Sequence, residues 1–201
     1  MRYLTNLLLA AGGLLLSRTA SAQTPALADL RTFSQQRYNH QNVLGLSLGG
    51  YALANIAVSG IAMTRTTGET RYVHQMNTYW NLVNLGIAGV GLLGLRKQQP
   101  ATETLGQAIR HQQQIEKVLL FNAGLDVGYI AGGFWLLERA KNRPDQADRL
   151  RGYGKTVIAQ GAFLLVFDVV NYLIFNKRGG AQQLELVGQT PLGLGVSVPL
   201  K

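Results

Sequence analysis

Four stretches of this chain are too long and too evenly apolar to sit on the surface of a water-soluble domain. Residues 43–63 and 78–95 contain no charged residue, 118–137 contains only Asp126, and 156–176 contains only Asp168. Each stretch is 18 to 21 residues long, about what an α-helix needs to cross a bilayer's hydrocarbon core. The five prolines, at 25, 100, 144, 191 and 199, all fall outside these blocks, as continuous helices require. A helix on the surface of a soluble bundle needs a broad polar face, and these blocks have none. The pattern predicts an all-α protein, a bundle of four transmembrane helices at about 43–63, 78–95, 118–137 and 156–176. Tyr79 and Trp80, Trp135, Tyr153 and Tyr172 edge these blocks, where interfacial aromatic belts lie.

Composition agrees with this division. Charged residues make up 14% of the chain, against roughly 25% in an average soluble domain. The mean hydropathy is only +0.07, because polar segments separate the apolar ones. The absence of cysteine excludes a disulfide framework, a thiolate metal site and a cysteine nucleophile. The net charge of +9 is scattered over the connections between blocks, with no basic–aromatic stripe. That distribution fits lipid head groups as the partner and not nucleic acid.

The N-terminus reads as a signal peptide. Met1 and Arg2 precede an apolar run over 3–16, and Ala20-Ser21-Ala22 offers small residues for cleavage after Ala22. The expected organisation is a signal peptide at 1–22, an amphipathic lead-in at 23–42, a membrane domain at 43–176 and an extramembrane tail at 177–201. Ahead of the first block, Leu27, Leu30, Phe33 and Tyr38 recur at helical spacing, as do Leu105, Ile109 and Ile115 ahead of the third. Thr102 is the expected N-cap there. Cleavage places both mature termini outside a bacterial cytoplasmic (inner) membrane. The basic residues near the segment ends divide evenly between the two sides, so the positive-inside rule does not decide orientation.

Each helix carries a polar stripe. Ser47, Tyr51, Asn55 and Ser59 lie at i, i+4 steps on the first, and Asn77, Asn81 and Asn84 share a face of the second. Asn122 and Asp126 lie on the third, and Gln160, Asp168 and Asn171 on the fourth. Asn55, Asn84, Asp126 and Asp168 are each within two to three residues of the middle of their block. They are therefore expected at one depth, facing inward, because an acidic residue facing lipid at mid-membrane costs about 2.5–3.5 kcal/mol. On another face of the third helix, Gly124, Gly128 and Gly132 form two overlapping G-x-x-x-G steps. Such a groove lets a neighbouring helix or a second copy of the chain approach closely. Gly45 and Gly49 offer a similar notch on the first helix.

Two carboxyls at one depth, with no Lys or Arg in the blocks to pair them, suit two roles. One is a neutral hydrogen-bonded network that fixes helix register. The other is a proton- or cation-binding site. His40, His74 and His111 lie at different segment ends, so no metal site is expected. No nucleophile–base constellation or cofactor motif is present, and the chain is not expected to be an enzyme. The leading expectation is a non-enzymatic scaffold, subunit or accessory protein, with the bilayer and a further membrane protein or second copy as partners. The alternative is a small proton- or cation-coupled transporter using Asp126 and Asp168.

The segments HQMNTYWNLVN (74–84), LLFNAGLDVGY (119–129) followed by Leu137-Glu138-Arg139, and LRGYGKTVIAQGAFLLVFD (150–168) resemble an uncharacterised family of small bacterial membrane proteins, a domain of unknown function. The resemblance covers roughly residues 35–178. It implies the four-helix membrane architecture and brings no activity, substrate or cofactor with it.

Overall fold

The computed structural model describes the backbone of residues 2–188 and the side chains of 27–182 together with Leu186. Four long helices, α1 (Arg2–Arg65), α2 (Gly68–Leu95), α3 (Leu105–Lys141) and α4 (Ala147–Gly188), are joined by short connections, and no strand occurs among the described residues. The side chains of the expected signal peptide, and residues 189–201 of the expected tail, lie outside what is described.

Every helix outruns the apolar block that announced it. The apolar run marks only the stretch suited to hydrocarbon, while helical hydrogen bonding continues through polar sequence on either side. The lead-in at 23–42 is part of α1. Residues 177–188, expected to open the tail, continue α4 instead. The N-cap of α3 is Thr104 and not Thr102, which lies in a single 3-10 turn over Pro100–Thr102. Thr104 forms a capping box with Gln107, so two backbone N–H groups that begin the helix are satisfied reciprocally. Between α1 and α2 the chain reverses through Gly68 at φ +58°, a left-handed conformation that glycine adopts without a Cβ penalty.

The helices pack chiefly as α1 on α2 and α3 on α4, with α2 on α4 joining the two pairs; the backbones of α2 and α3 hardly approach each other. The closest approach of α3 and α4 uses glycines other than those in the expected groove. A Cβ at Gly133 would sit 2.8 Å from the Gly154 carbonyl oxygen, and one at Gly154 would sit 2.8 Å from that of Gly133. Gly161 likewise lies against the Asp126 carbonyl, at 3.1 Å from its would-be Cβ. Gly124, Gly128 and Gly132 have nothing within 4 Å and therefore seat no helix of the same chain. The Gly45–Gly49 notch does receive α2, with Leu92 and Ala88 against it.

The exterior along the helices is apolar. Val90, Phe121, Val58 and Val166 are each more than 60% exposed, while Asn81, Asn84, Asp126, Gln160 and Asp168 are buried. Water-soluble packing has the reverse polarity. Four helices are long and apolar enough to cross a membrane.

Candidate functional site: a divided polar interior

The inward-facing stripes meet, but they form two assemblies and not one layer. The first is an amide ladder centred on Asn77. Its side-chain amide donates to Asn55 Oδ1 at 3.0 Å and to Ser59 Oγ at 2.7 Å. Its carbonyl oxygen accepts from Gln160 Nε2 and from Asn81 Nδ2. Gln160 Oε1 accepts from the Tyr51 hydroxyl at 3.2 Å, and Tyr51 stacks on Phe163 with centroids 4.0 Å apart. Asn55 and Asn81 also donate to backbone carbonyls four residues back, those of Tyr51 and Asn77. The ladder thus ties α1, α2 and α4 together through groups that both donate and accept. Asn77 was readable as part of the α2 stripe. Its place at the centre was not, because that depends on how α1 and α4 are rotated against α2.

The second assembly lies where α2 and α3 diverge. Asp126 and Asp168 are 3% and 6% exposed, and their carboxyls interact directly with one another. Asp126 Oδ2 is buried and has no hydrogen-bond partner. Both residues border a cavity of about 290 Å³, with Asn84, Asn122, Trp80 and Tyr129 among its walls. Trp80 and Tyr129 meet edge to face, centroids 4.8 Å apart. Asn84 touches both assemblies, through a long 3.5 Å contact with Asn81 Oδ1 and through the cavity wall.

Asn171 belongs to neither assembly. It bonds His40 Nε2 at 3.0 Å and the Phe167 carbonyl at 2.7 Å, about one helical turn along α4 from Asp168, toward the end of the bundle where α3 begins. His40 there stacks on Phe175 at 4.2 Å. Near that end a charged tie joins α1 to the α2–α3 connection. Arg37 is fully buried and donates to Glu103 Oε1 at 2.6 Å, to Gln98 Oε1 and to the Ala108 carbonyl. His111 Nδ1 lies 2.9 Å from the same Glu103 oxygen. Burial pushes the Glu103 carboxyl up, but its hydrogen bonds with Arg37 and His111 and the Arg37 charge outweigh that, and it stays below its ordinary value. Nothing in the sequence singled out this pair, because the two residues are far apart in the chain and neither lies in an apolar block. Among the described residues, no three of His, Cys, Asp or Glu gather as a metal site would require.

A family described as one of unknown function, DUF6992, matches residues 47–169. The chain belongs to this DUF6992 family. The matched region contains the whole amide ladder and both carboxyls, while Arg37, His40 and Asn171 fall outside it. No curated protein and no solved structure matches the chain. Membership of the DUF6992 family therefore accompanies the geometry without assigning it a reaction.

Proposed function

We propose that this is an integral membrane protein, seated in a bacterial cytoplasmic membrane with its signal peptide removed and both termini outside, and that it binds a cation or proton between Asp126 and Asp168. It is read as a small cation- or proton-coupled carrier and not as an enzyme. One observation carries this reading: two buried carboxyls border the cavity between α2 and α3, and no Lys, Arg or His lines it to pair them. A network serving only to hold helices together is best built from groups that both donate and accept, so that it closes on itself. The Asn77 ladder closes in that way and supports a scaffold role for its own part of the interior. The carboxyl pair does not.

The test is reconstitution into liposomes that enclose a pH-sensitive dye. Wild type is expected to carry a proton or cation flux above protein-free vesicles, and Asp126→Asn to lose it while retaining the fold. Equal, background-level fluxes would remove the carrier reading and leave the scaffold, with a further membrane protein or a second copy as its partner.

A further inference from the structure

The α2–α3 cavity has walls that an inorganic ion does not need. Oxygen-binding cations such as Ca²⁺ and Mg²⁺ take about six or more oxygen ligands in a tight shell. The cavity holds about 290 Å³, near the lower end of small-molecule pockets, which run from roughly 300 Å³ upwards. The carboxyl pair occupies one wall, and Val83, Ile87, Leu125 and Leu164 supply apolar surface. Trp80 and Tyr129 add aromatic rings, whose faces attract organic cations. No Lys, Arg or His lines the cavity, so the two carboxyls on its wall meet no positive charge there from the chain itself.

The opening matters as much as the lining. Val83 and Ile87 are 62% and 55% exposed on the outer surface of α2 and also border the cavity. The cavity therefore opens sideways, toward what would be lipid. At Ile87 and Asn122 it adjoins a second cavity of about 370 Å³ that continues along α2 and α3 past Gly91, Leu95 and Val118. A molecule with a charged head and an apolar body would find a carboxyl at one place and apolar wall beside it.

We propose that the ligand of this site is an apolar organic ammonium, which enters from the bilayer between α2 and α3 and sets its charge against Asp126 and Asp168. The inference rests on the cation-binding reading above and narrows its ligand class. The ammonium donates hydrogen bonds to the carboxyls of Asp126 and Asp168, and its apolar part lies against Trp80, Tyr129 and Ile87. The chain contains two tryptophans, so removing Trp135 by Trp135→Phe leaves Trp80, in the cavity wall, as the only reporter.

The experiment is a fluorescence titration of that variant in lipid nanodiscs with phenethylamine, and with phenethyl alcohol as a neutral counterpart of similar shape. A saturable change with the amine, at least tenfold weaker or absent with the alcohol, is expected. Asp126→Asn, with its melting temperature checked to show that it folds, is expected to weaken amine binding at least tenfold. Val83→Phe, a change at an exposed position on the cavity's rim, is expected to weaken it while both carboxyls remain. Equal responses to amine and alcohol, or amine binding indifferent to both variants, would overturn the proposal. An Asp126-dependent proton flux without amine binding would overturn it too, while leaving the broader cation-binding reading in place.

Discussion

The α3–α4 seam gives the sharpest test of the packing, because two sets of glycines on one helix are predicted to behave oppositely. A methyl added at Gly133 would lie 2.6 Å from Ile158 Cγ1, 2.8 Å from the Gly154 carbonyl oxygen and 3.0 Å from the Ile158 backbone nitrogen. Two of these neighbours are backbone and cannot rotate away, so the helices must separate. Overpacking of this kind costs about 1–3 kcal/mol, and more where backbone must move. Alanine recovers up to about 1 kcal/mol of helix propensity over glycine, which leaves Gly133→Ala destabilising by roughly 2 kcal/mol. Gly128→Ala meets nothing within 4 Å and retains only the propensity gain. At roughly 2–4 °C per kcal/mol for a chain of this size, Gly133→Ala should melt about 4–8 °C below wild type and Gly128→Ala no lower than wild type. The measurement is a thermal melt of purified protein in detergent, followed by size-exclusion or tryptophan fluorescence. If Gly133→Ala melts with wild type, or Gly128→Ala loses as much as Gly133→Ala, the helix pairing described here is wrong.

Three further outcomes are expected. Glu103→Gln leaves Arg37 buried without its counter-charge and should cost about 3 kcal/mol at neutral pH, near the lower end for breaking a buried pair. Because the Glu103 carboxyl is held below its ordinary value of 4.5, its stabilisation is complete above that pH and is lost as pH falls through the lower folded value. The stability gap between wild type and Glu103→Gln should therefore close in acid, and a gap that stays constant to pH 2 in melts or denaturant titrations would contradict the ion-pair account. Asn77→Leu strands Gln160, Asn81, Asn55 and Ser59 together and should destabilise by at least about 3 kcal/mol, well beyond Asn171→Leu, as read by unfolding in mixed micelles. N-terminal sequencing of membrane-extracted protein should begin at Gln23, and recovery of an intact Met1 start would refute cleavage after Ala22.

The four long helices were legible because hydrocarbon thickness and helical rise together fix the length of an apolar run, and a single residue such as Asp126 does not disturb that signal. The ends of those helices were not legible from the same signal. Residues 177–188 extend α4 through Lys177, Arg178 and two glycines, where hydropathy has already fallen. Which glycines seat the neighbouring helix of the same chain was not legible for a related reason. Regular G-x-x-x-G spacing at Gly124, Gly128 and Gly132 marks a surface that could receive a helix, but only the rotation of α3 decides which surface does. That rotation follows from burying Asp126, which turns Gly133 toward α4 and leaves the three glycines outside. The depth of the polar residues could likewise be read by counting along each block. Their partners could not, since Asn171 and Asp168 are three residues apart in sequence yet one meets His40 and the other Asp126.

The division of the interior follows from donor and acceptor chemistry. An Asn or Gln side chain brings both donors and an acceptor, so a set such as Asn55, Asn77, Asn81 and Gln160 can satisfy itself within a dry core, with a hydroxyl at each margin from Tyr51 and Ser59. Two carboxyls bring acceptors and no donor unless protonated, so some of their lone pairs must look elsewhere. The nearby amides do not meet that demand, for Asn84 is directed to Asn81 and Asp126 Oδ2 stays unpartnered. On the proposed reading a donor from outside the chain completes the site, and a cationic donor completes its charge as well. Replacing both carboxyls by asparagine supplies donors from within. A stability gain in that double variant, together with loss of amine binding, would indicate that the carboxyl pair is kept for what it binds and not for what it holds together.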